Sequence, residues 1–262
     1  MVRRAKEHGW CGPPFEPRYL AGLNRIKVIA TDEDIGGEGC IFALKGRVFI
    51  KYRSGRVLER ERFTICHELA HTCFPDLYEF VNHHGASLQT DREYREFENL
   101  CDIGGGELLL PFEDFITDLK KSYICLARMG DLGRRYVASL DATIKRMLDM
   151  TDHPCAAAFL TDEGFKEFAA VSGQLRIKYF WKSTGFNAFL NPGALLPAKS
   201  CALSATDVAN PSFPKSKETW WLNGRSHSWY VQAVRLPAIP GNKDYPKVVA
   251  LLHPFRPNNA LE

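Results

Sequence analysis

The chain contains an HExxH motif that runs from His67 to His71. Histidines four residues apart lie on one face of a helix, a turn apart, so both imidazoles can reach a single metal ion. Glu68 lies about 100° further round the helix, beside the place of a reacting water molecule rather than on the metal. In zinc peptidases this carboxylate is the general base that takes the proton of the water. The motif therefore predicts a helix that carries a metal site.

The residues around the motif support this helix. Apolar side chains recur with helical period through the segment, namely Phe63, Cys66, Leu69, Ala70, Cys73 and Phe74. Pro75 then ends the pattern, because proline cannot continue a helix. We take this segment as the active-site helix.

Composition is typical of an ordinary globular protein. The 262 residues are 45% hydrophobic and 25% charged, and the net charge of +3 is too small to indicate nucleic-acid binding. No apolar run approaches the roughly 20 residues that span a membrane, and no hydrophobic signal core follows the basic N-terminus. The eight cysteines include no CxxC pair. We therefore expect a reduced, cytoplasmic protein without a membrane segment; composition does not predict its oligomeric state.

The first half of the chain predicts a small sheet and several helices. Two β-prone runs flank Lys45-Gly46 within residues 40–52 and predict a hairpin, and residues 26–30 predict another strand. We expect this sheet to pack on the motif helix. Further helices are expected over Asp91–Asp102, Phe112–Leu126 and residues 131–150, with Ser139 as an N-cap.

Beyond Asp152 the composition changes. Four of the five tryptophans lie there, and three apolar runs read as strands, near residues 177–181, 228–234 and 247–252. The tryptophans are interpreted as core and hairpin residues. We predict an α+β protein with a domain at 1–152 and a smaller, β-rich domain at 153–262.

A catalytic zinc takes three protein ligands, so a third ligand is needed besides the two histidines. Phe74 and Leu77 exclude the HExxHxxGxxH subclass. Glu98 is the best candidate, because Asp102 follows four residues later on the same helix face. Such an aspartate accepts a hydrogen bond from a ligand histidine and fixes its tautomer. The other candidates are Glu96, Glu107, Asp102 itself, His83 and His84.

Two segments resemble the signatures of the ImmA/IrrE family of metallopeptidases. Residues 62–71 are similar to the sequence RFTLAHELAH. Residues 98–111 align end to end with E-x-x-A-x-x-F-A-x-x-L-L-M-P, which matches Glu98 to the glutamate of the family. Cys101 stands where the family has alanine, and Gly104-Gly105 where it has Phe-Ala. Each glycine costs about 1 kcal/mol in a helix, so we expect the glycines to disturb the second helix.

The resemblance implies a zincin-like domain that binds zinc, or manganese or another divalent ion, through His67, His71 and Glu98. It implies a protein substrate, a helix-turn-helix repressor whose cleavage switches on genes of the stress response or of mobile elements. Some members carry a C-terminal domain of GAF-like fold, and the β-rich tail suits such a module.

The function predicted from the sequence is metal-dependent hydrolysis of a peptide bond, with Glu68 as general base and Asp102 hydrogen-bonded to a ligand histidine. We expect the substrate to extend along an exposed strand of the small sheet. One alternative is a non-catalytic regulator that uses the zincin scaffold to bind its partner. The other is a DNA-binding regulator acting through residues 131–150, where Arg134, Arg135, Lys145 and Arg146 are balanced by Asp131, Asp141 and Asp149. This balance makes direct nucleic-acid binding the less favoured interpretation.

Overall fold

The computed structural model describes residues 1–74, 91–121, 123–162, 174–205, 212–237 and 246–254. Over these ranges it has seven α-helices and two β-sheets, which confirms the predicted α+β class. The chain forms two compact units. The first comprises Met1–Lys121 and Asp131–Thr143, and the second comprises Ser122–Gly130 and Ile144–Glu262. The domain limits at 1–152 and 153–262 stay a prediction.

The first unit contains the motif helix. Its elements up to residue 121 are α1 (Val2–Glu7), α2 (Pro17–Leu23), β1 (Lys27–Thr31), β2 (Gly39–Leu44), β3 (Arg47–Arg53), α3 (Leu58–His71), α4 (Asp91–Leu109) and α5 (Phe112–Leu119). Helix α3 packs on α4 and on strands β2 and β3. The predicted packing of a small sheet on the motif helix is thus confirmed.

The three-stranded sheet has the order β1-β3-β2. Strands β2 and β3 form the predicted hairpin, and both turn residues, Lys45 (φ 50°) and Gly46 (φ 71°), adopt the left-handed conformation that a tight hairpin turn needs. Strand β1 pairs in parallel with β3. Strand β2 is consequently an edge strand beside α3.

Helix α4 is longer than the sequence predicted. It continues from Asp91 through Gly104-Gly105-Gly106 to Leu109, whereas the glycines were expected to disturb it. The reason is close packing against α3. A Cβ atom at Gly104 would lie 2.8 Å from the Cβ of Ala70, and one at Gly105 would lie 3.0 Å from the Cα of His67. Glycine therefore lets the two helix backbones approach more closely than any other residue would.

The helices that follow differ from the prediction in their boundaries, and the expected helical stretch over residues 131–150 is divided between two helices. The expected helix over Phe112–Leu126 is wrong as one element, because α5 ends at Leu119 and α6 (Leu126–Tyr136) begins at Leu126. Helix α7 spans Leu140–Met150. Ser139 caps it as predicted, since its hydroxyl accepts a hydrogen bond from the backbone N–H of Ala142 at 3.1 Å.

The second unit contains a five-stranded antiparallel sheet of order β5-β4-β8-β7-β6. Its strands are β4 (Ala156–Thr161), β5 (Arg176–Lys182), β6 (Lys215–Leu222), β7 (Arg225–Arg235) and β8 (Val248–Pro254). The three strands predicted from the sequence are β5, β7 and β8. Trp220 and Trp229 are buried in its core, as expected, but Trp221 is 73% exposed. Among the described residues of the whole chain, no helix has the length and apolarity that crossing a bilayer requires.

Candidate metal centre

Helix α3 is fixed in place by a buried arginine one turn before the motif. The guanidinium of Arg62 donates to the carboxylate of Glu16 and to the carbonyl oxygen of Phe15, both at 2.7 Å. Only 5% of Arg62 is exposed. Charge-assisted hydrogen bonds of this kind set the position of the helix, and with it the positions of the two histidines.

Both motif histidines turn their Nε2 atoms towards the same point. These two atoms are 3.2 Å apart. Glu98, on α4, reaches the same point: its Oε2 lies 3.2 Å from the Nε2 of His67, and its Oε1 lies 3.9 Å from the Nε2 of His71. One donor atom from each of the three residues lies within 4.8 Å of the others. The structure thus brings together the three residues proposed as metal ligands.

The other candidates for the third ligand are engaged elsewhere or lie outside the described residues. Glu96 forms an exposed ion pair with Arg92 at 2.8 Å. Glu107 accepts a hydrogen bond from the backbone N–H of Phe112 at 2.9 Å, at the start of α5. His83 and His84 lie outside the described residues.

Asp102 contacts the first motif histidine from the side away from Glu98. The Nδ1 of His67 lies 2.8 Å from Oδ1 of Asp102, which is a hydrogen bond between ring and carboxylate. A proton on Nδ1 leaves the lone pair of Nε2 for a metal. This is the contact that the Glu98–Asp102 spacing predicted.

Glu68 is 6% exposed, and its carboxyl is close enough to His67 and Glu98 to interact with both electrostatically. Burial raises the pKa of this carboxyl to about 7, against the opposing effect of His67. Strand β2 begins beside it, since a Cβ atom at Gly39 would lie 2.7 Å from Oε1 of Glu68 and 2.6 Å from the Cγ2 of Thr64. Glu68 is therefore a carboxylate that can exchange a proton near neutral pH, next to the edge strand.

The titration of the ring nitrogens reflects the two carboxylates around them. Burial opposes protonation of His67, but hydrogen bonds with Asp102 and Glu98 raise its pKa to about 10. Burial lowers the pKa of His71 to about 4. The hydrogen bond with His67 lowers the pKa of Glu98 and keeps this carboxylate ionised. The carboxylates of Asp102 and Glu98 thus favour a positive charge at the point where the donors meet.

The donor set fits a zinc ion. Bonds of about 2.1 Å in tetrahedral geometry place the ligand atoms about 3.4 Å apart. Here the two Nε2 atoms are 3.2 Å apart, and the nearest Glu98 oxygens lie 3.2 Å (Oε2) from His67 and 3.9 Å (Oε1) from His71. Two imidazoles and one carboxylate also match the ligand types of catalytic zinc sites. Three protein donors leave one tetrahedral position for water or substrate.

Three residues of the site escaped the sequence analysis. The Sγ of Cys101 lies 3.3 Å from the Nδ1 of His71. Tyr94 forms a hydrogen bond with Glu98, and burial together with the charge of Glu98 raises the pKa of its phenol. Gly39 leaves the space beside Glu68. The signal for Tyr94 and Cys101 was their spacing from Glu98, four residues before and three after, which places them on one helix face.

The family of IrrE N-terminal-like domains of the M78 peptidases matches residues 32–148, a range that includes the whole candidate centre. The chain is also 27% identical over 181 residues to the radiation response metalloprotease IrrE of Deinococcus deserti. This similarity covers 67% of the present chain and 63% of that protein, so the chain spans less than two thirds of its relative. The matched family is one of peptidases, and the relative is a metalloprotease.

A solved structure, that of a Mycobacterium tuberculosis transcriptional regulator, has a similar fold. The TM-score is 0.63 at 17% sequence identity, and the match covers 96% of this chain and 73% of that one. At this identity the similarity concerns the fold alone. It extends over both compact units.

Proposed function

Residues 32–148 match the IrrE N-terminal-like domain of the M78 peptidases, and on this premise we propose that the chain is a metalloprotease of the ImmA/IrrE type, a zinc-dependent endopeptidase that cleaves a cytoplasmic helix-turn-helix repressor. The observation that carries the proposal is the convergence of His67, His71 and Glu98 on one point, with the buried carboxyl of Glu68 close enough to interact electrostatically with His67 and Glu98. A scaffold that only binds metal or a partner does not need Glu68, whereas hydrolysis needs a base.

His67, His71 and Glu98 would hold the metal, and Asp102 would orient His67. When bound, the metal supplies Lewis acidity, which makes water more acidic and polarises a peptide carbonyl. Glu68 takes the proton of the attacking water and delivers it to the nitrogen of the leaving amine. Burial of this carboxyl raises its pKa, which makes it a stronger base for the first step.

We propose that the substrate binds along β2. This strand forms one edge of its sheet and begins at Gly39, beside Glu68. An extended peptide can add to such an edge through main-chain hydrogen bonds, which recognise backbone rather than a particular sequence. The edge would present a peptide bond to the base without a deep side-chain pocket.

The repressor is proposed from the family resemblance, as is a sensory role for the β-rich second unit as a GAF-like module. Cleavage of the repressor would derepress genes of a stress response or of a mobile element. A repressor encoded beside the gene for this chain is the first substrate to test.

Glu68→Gln is the decisive variant. We expect it to bind zinc as the wild type does but to leave the neighbouring repressor uncut, because the amide has no basic oxygen for the proton. Fragments are followed on a gel with added zinc or manganese, and bound metal is measured on the same sample. Glu59→Gln, in the first turn of the same helix, is the matched control and should cut normally. Full cleavage by Glu68→Gln would remove this residue from the mechanism.

Two alternatives predict different results. A non-catalytic regulator would bind the repressor without producing fragments, with or without metal. A DNA-binding regulator would show duplex binding that falls steeply with salt. The structure offers that alternative little support, because Arg134 pairs with Asp131, and Arg135 pairs with Asp118 at 2.8 Å.

A further inference from the structure

The second motif histidine has a partner that the metal-site motif does not supply. The Nε2 of His71 faces the donors of the candidate centre, while its Nδ1 lies 3.3 Å from the Sγ of Cys101, within hydrogen-bonding distance for sulfur. Both side chains are buried, with 3% of His71 and 0% of Cys101 exposed. The contact is therefore made inside the protein, away from competing water.

The two histidines are thus supported by different chemical groups. A half-exposed carboxylate, Asp102, holds His67, and a fully buried thiol, Cys101, holds His71. Both supporting residues and Glu98 come from α4, at positions 98, 101 and 102. Residues three and four apart lie on one helix face, so a single face of α4 delivers a ligand together with a support for each histidine.

We propose that Cys101 is a positioning residue for metal binding: its sulfur accepts the Nδ1–H of His71 and so keeps the Nε2 lone pair directed at the cation. The inference rests on the proposed metal centre and extends it. A neutral imidazole carries one proton, and holding this proton on Nδ1 selects the tautomer that can ligate through Nε2. No proton is transferred in this role.

The burial of position 101 explains why a thiol serves here. A carboxylate at a site with no exposed surface, close to Glu68 and Glu98, would be a further buried negative charge, which is costly without a cation beside it. Alanine, the residue that the family signature has at this position, carries no polar atom. Cysteine supplies a weak acceptor and remains compatible with an apolar contact between helices.

The test compares zinc affinity in Cys101→Ala and Cys101→Ser, measured by competition with a chromophoric chelator. Loss of the group that supports a ligand histidine typically weakens metal binding by about tenfold or more, so we expect at least this loss in the alanine variant. Serine has nearly the volume of alanine but retains a hydroxyl that can accept Nδ1–H. It should therefore bind zinc more tightly than the alanine variant.

The matched control is Cys66→Ala. Cys66 is also fully buried and also belongs to the contacting helix pair, on α3. Its removal costs similar packing, so both alanine variants should lose comparable stability, but Cys66→Ala should keep wild-type zinc affinity. The visible absorption bands of the cobalt-substituted protein report ligand geometry directly. They should change in Cys101→Ala and stay unchanged in Cys66→Ala.

The outcomes separate this inference from the proposed function. A wild-type protein that binds neither zinc nor cobalt would overturn the metal centre itself. If the wild type binds metal but Cys101→Ala has equal affinity and the same cobalt spectrum, the positioning role is overturned and the metal centre stands. Equal zinc affinities of the serine and alanine variants would likewise reject the hydrogen bond as the cause.

Discussion

Replacing Gly105 by alanine should destabilise the protein, although helix propensity alone predicts the opposite. Within a helix, alanine is favoured over glycine by about 1 kcal/mol. In this structure a Cβ atom at Gly105 would lie 3.0 Å from both the Cα and the N of His67, and 3.3 Å from the carbonyl carbon of Cys66. All three are backbone atoms, which cannot turn away as a flexible side chain can.

Carbon atoms in ordinary contact are about 3.5–4.0 Å apart, so α3 and α4 must separate by roughly 0.5–1 Å to admit the methyl group. Overpacking of this kind costs about 1–3 kcal/mol. Set against the propensity gain, Gly105→Ala should lose up to about 2 kcal/mol of unfolding free energy. The separation also moves Glu98 away from His67, so zinc affinity should fall as well.

The neighbouring glycine provides the control. A Cβ atom at Gly106 would have nothing within 4 Å, so Gly106→Ala should gain up to about 1 kcal/mol. Urea unfolding of the metal-free variants, followed by far-ultraviolet circular dichroism, measures the helical signal without a contribution from metal binding. The two variants should differ by about 1–3 kcal/mol. If Gly105→Ala proved as stabilising as Gly106→Ala, the close approach of the two helices would be refuted.

Two further changes have outcomes set by the structure. Gly39→Ala should slow cleavage more than it weakens zinc binding, because the added Cβ would lie 2.7 Å from Oε1 of Glu68 and 2.6 Å from Cγ2 of Thr64. Equal cleavage rates in the variant and the wild type would contradict this contact. Stability should fall with decreasing pH between about 6.5 and 4, by at most about 1.4 kcal/mol per pH unit from one histidine. The reason is that burial, with the charge of His153, lowers the pKa of His253 to about 4, so the unfolded chain takes up the proton first. Over this pH range the urea midpoint should therefore fall less in His253→Gln than in the wild type. An equal fall in both proteins would show that other groups cause the loss.

The sequence predicted the proposed metal ligands because their signals are local. Two histidines four residues apart share a helix face whatever surrounds them, and Glu98 with Asp102 repeats that spacing on the next helix. The hairpin about Lys45-Gly46 was equally predictable, since a tight turn requires its own backbone conformation. The resemblance to the ImmA/IrrE family, which the family match over residues 32–148 supports, added the correspondence between the two helices.

The strands that the sequence missed show where local signals end. Strand β4 is rich in alanine, a poor strand former, yet it is buried along its whole length because β5 and β8 flank it. Strand β6 alternates buried and exposed residues, but its lysines, glutamate and serine obscure the pattern. Glu218 is buried there because Cys201, Ser216 and Trp220 all donate hydrogen bonds to it.

The sequence by itself thus determined which residues share a helix face, and so predicted the ligands and the base. Only the tertiary structure decided how closely two helices pack. At Gly104 and Gly105 the close approach of the two helices requires glycine despite its low helix propensity. At Cys101 the same packing brings a small core residue into contact with His71. The physical reason is that spacing along one helix fixes direction, whereas contact between helices depends on every side chain that lies between them.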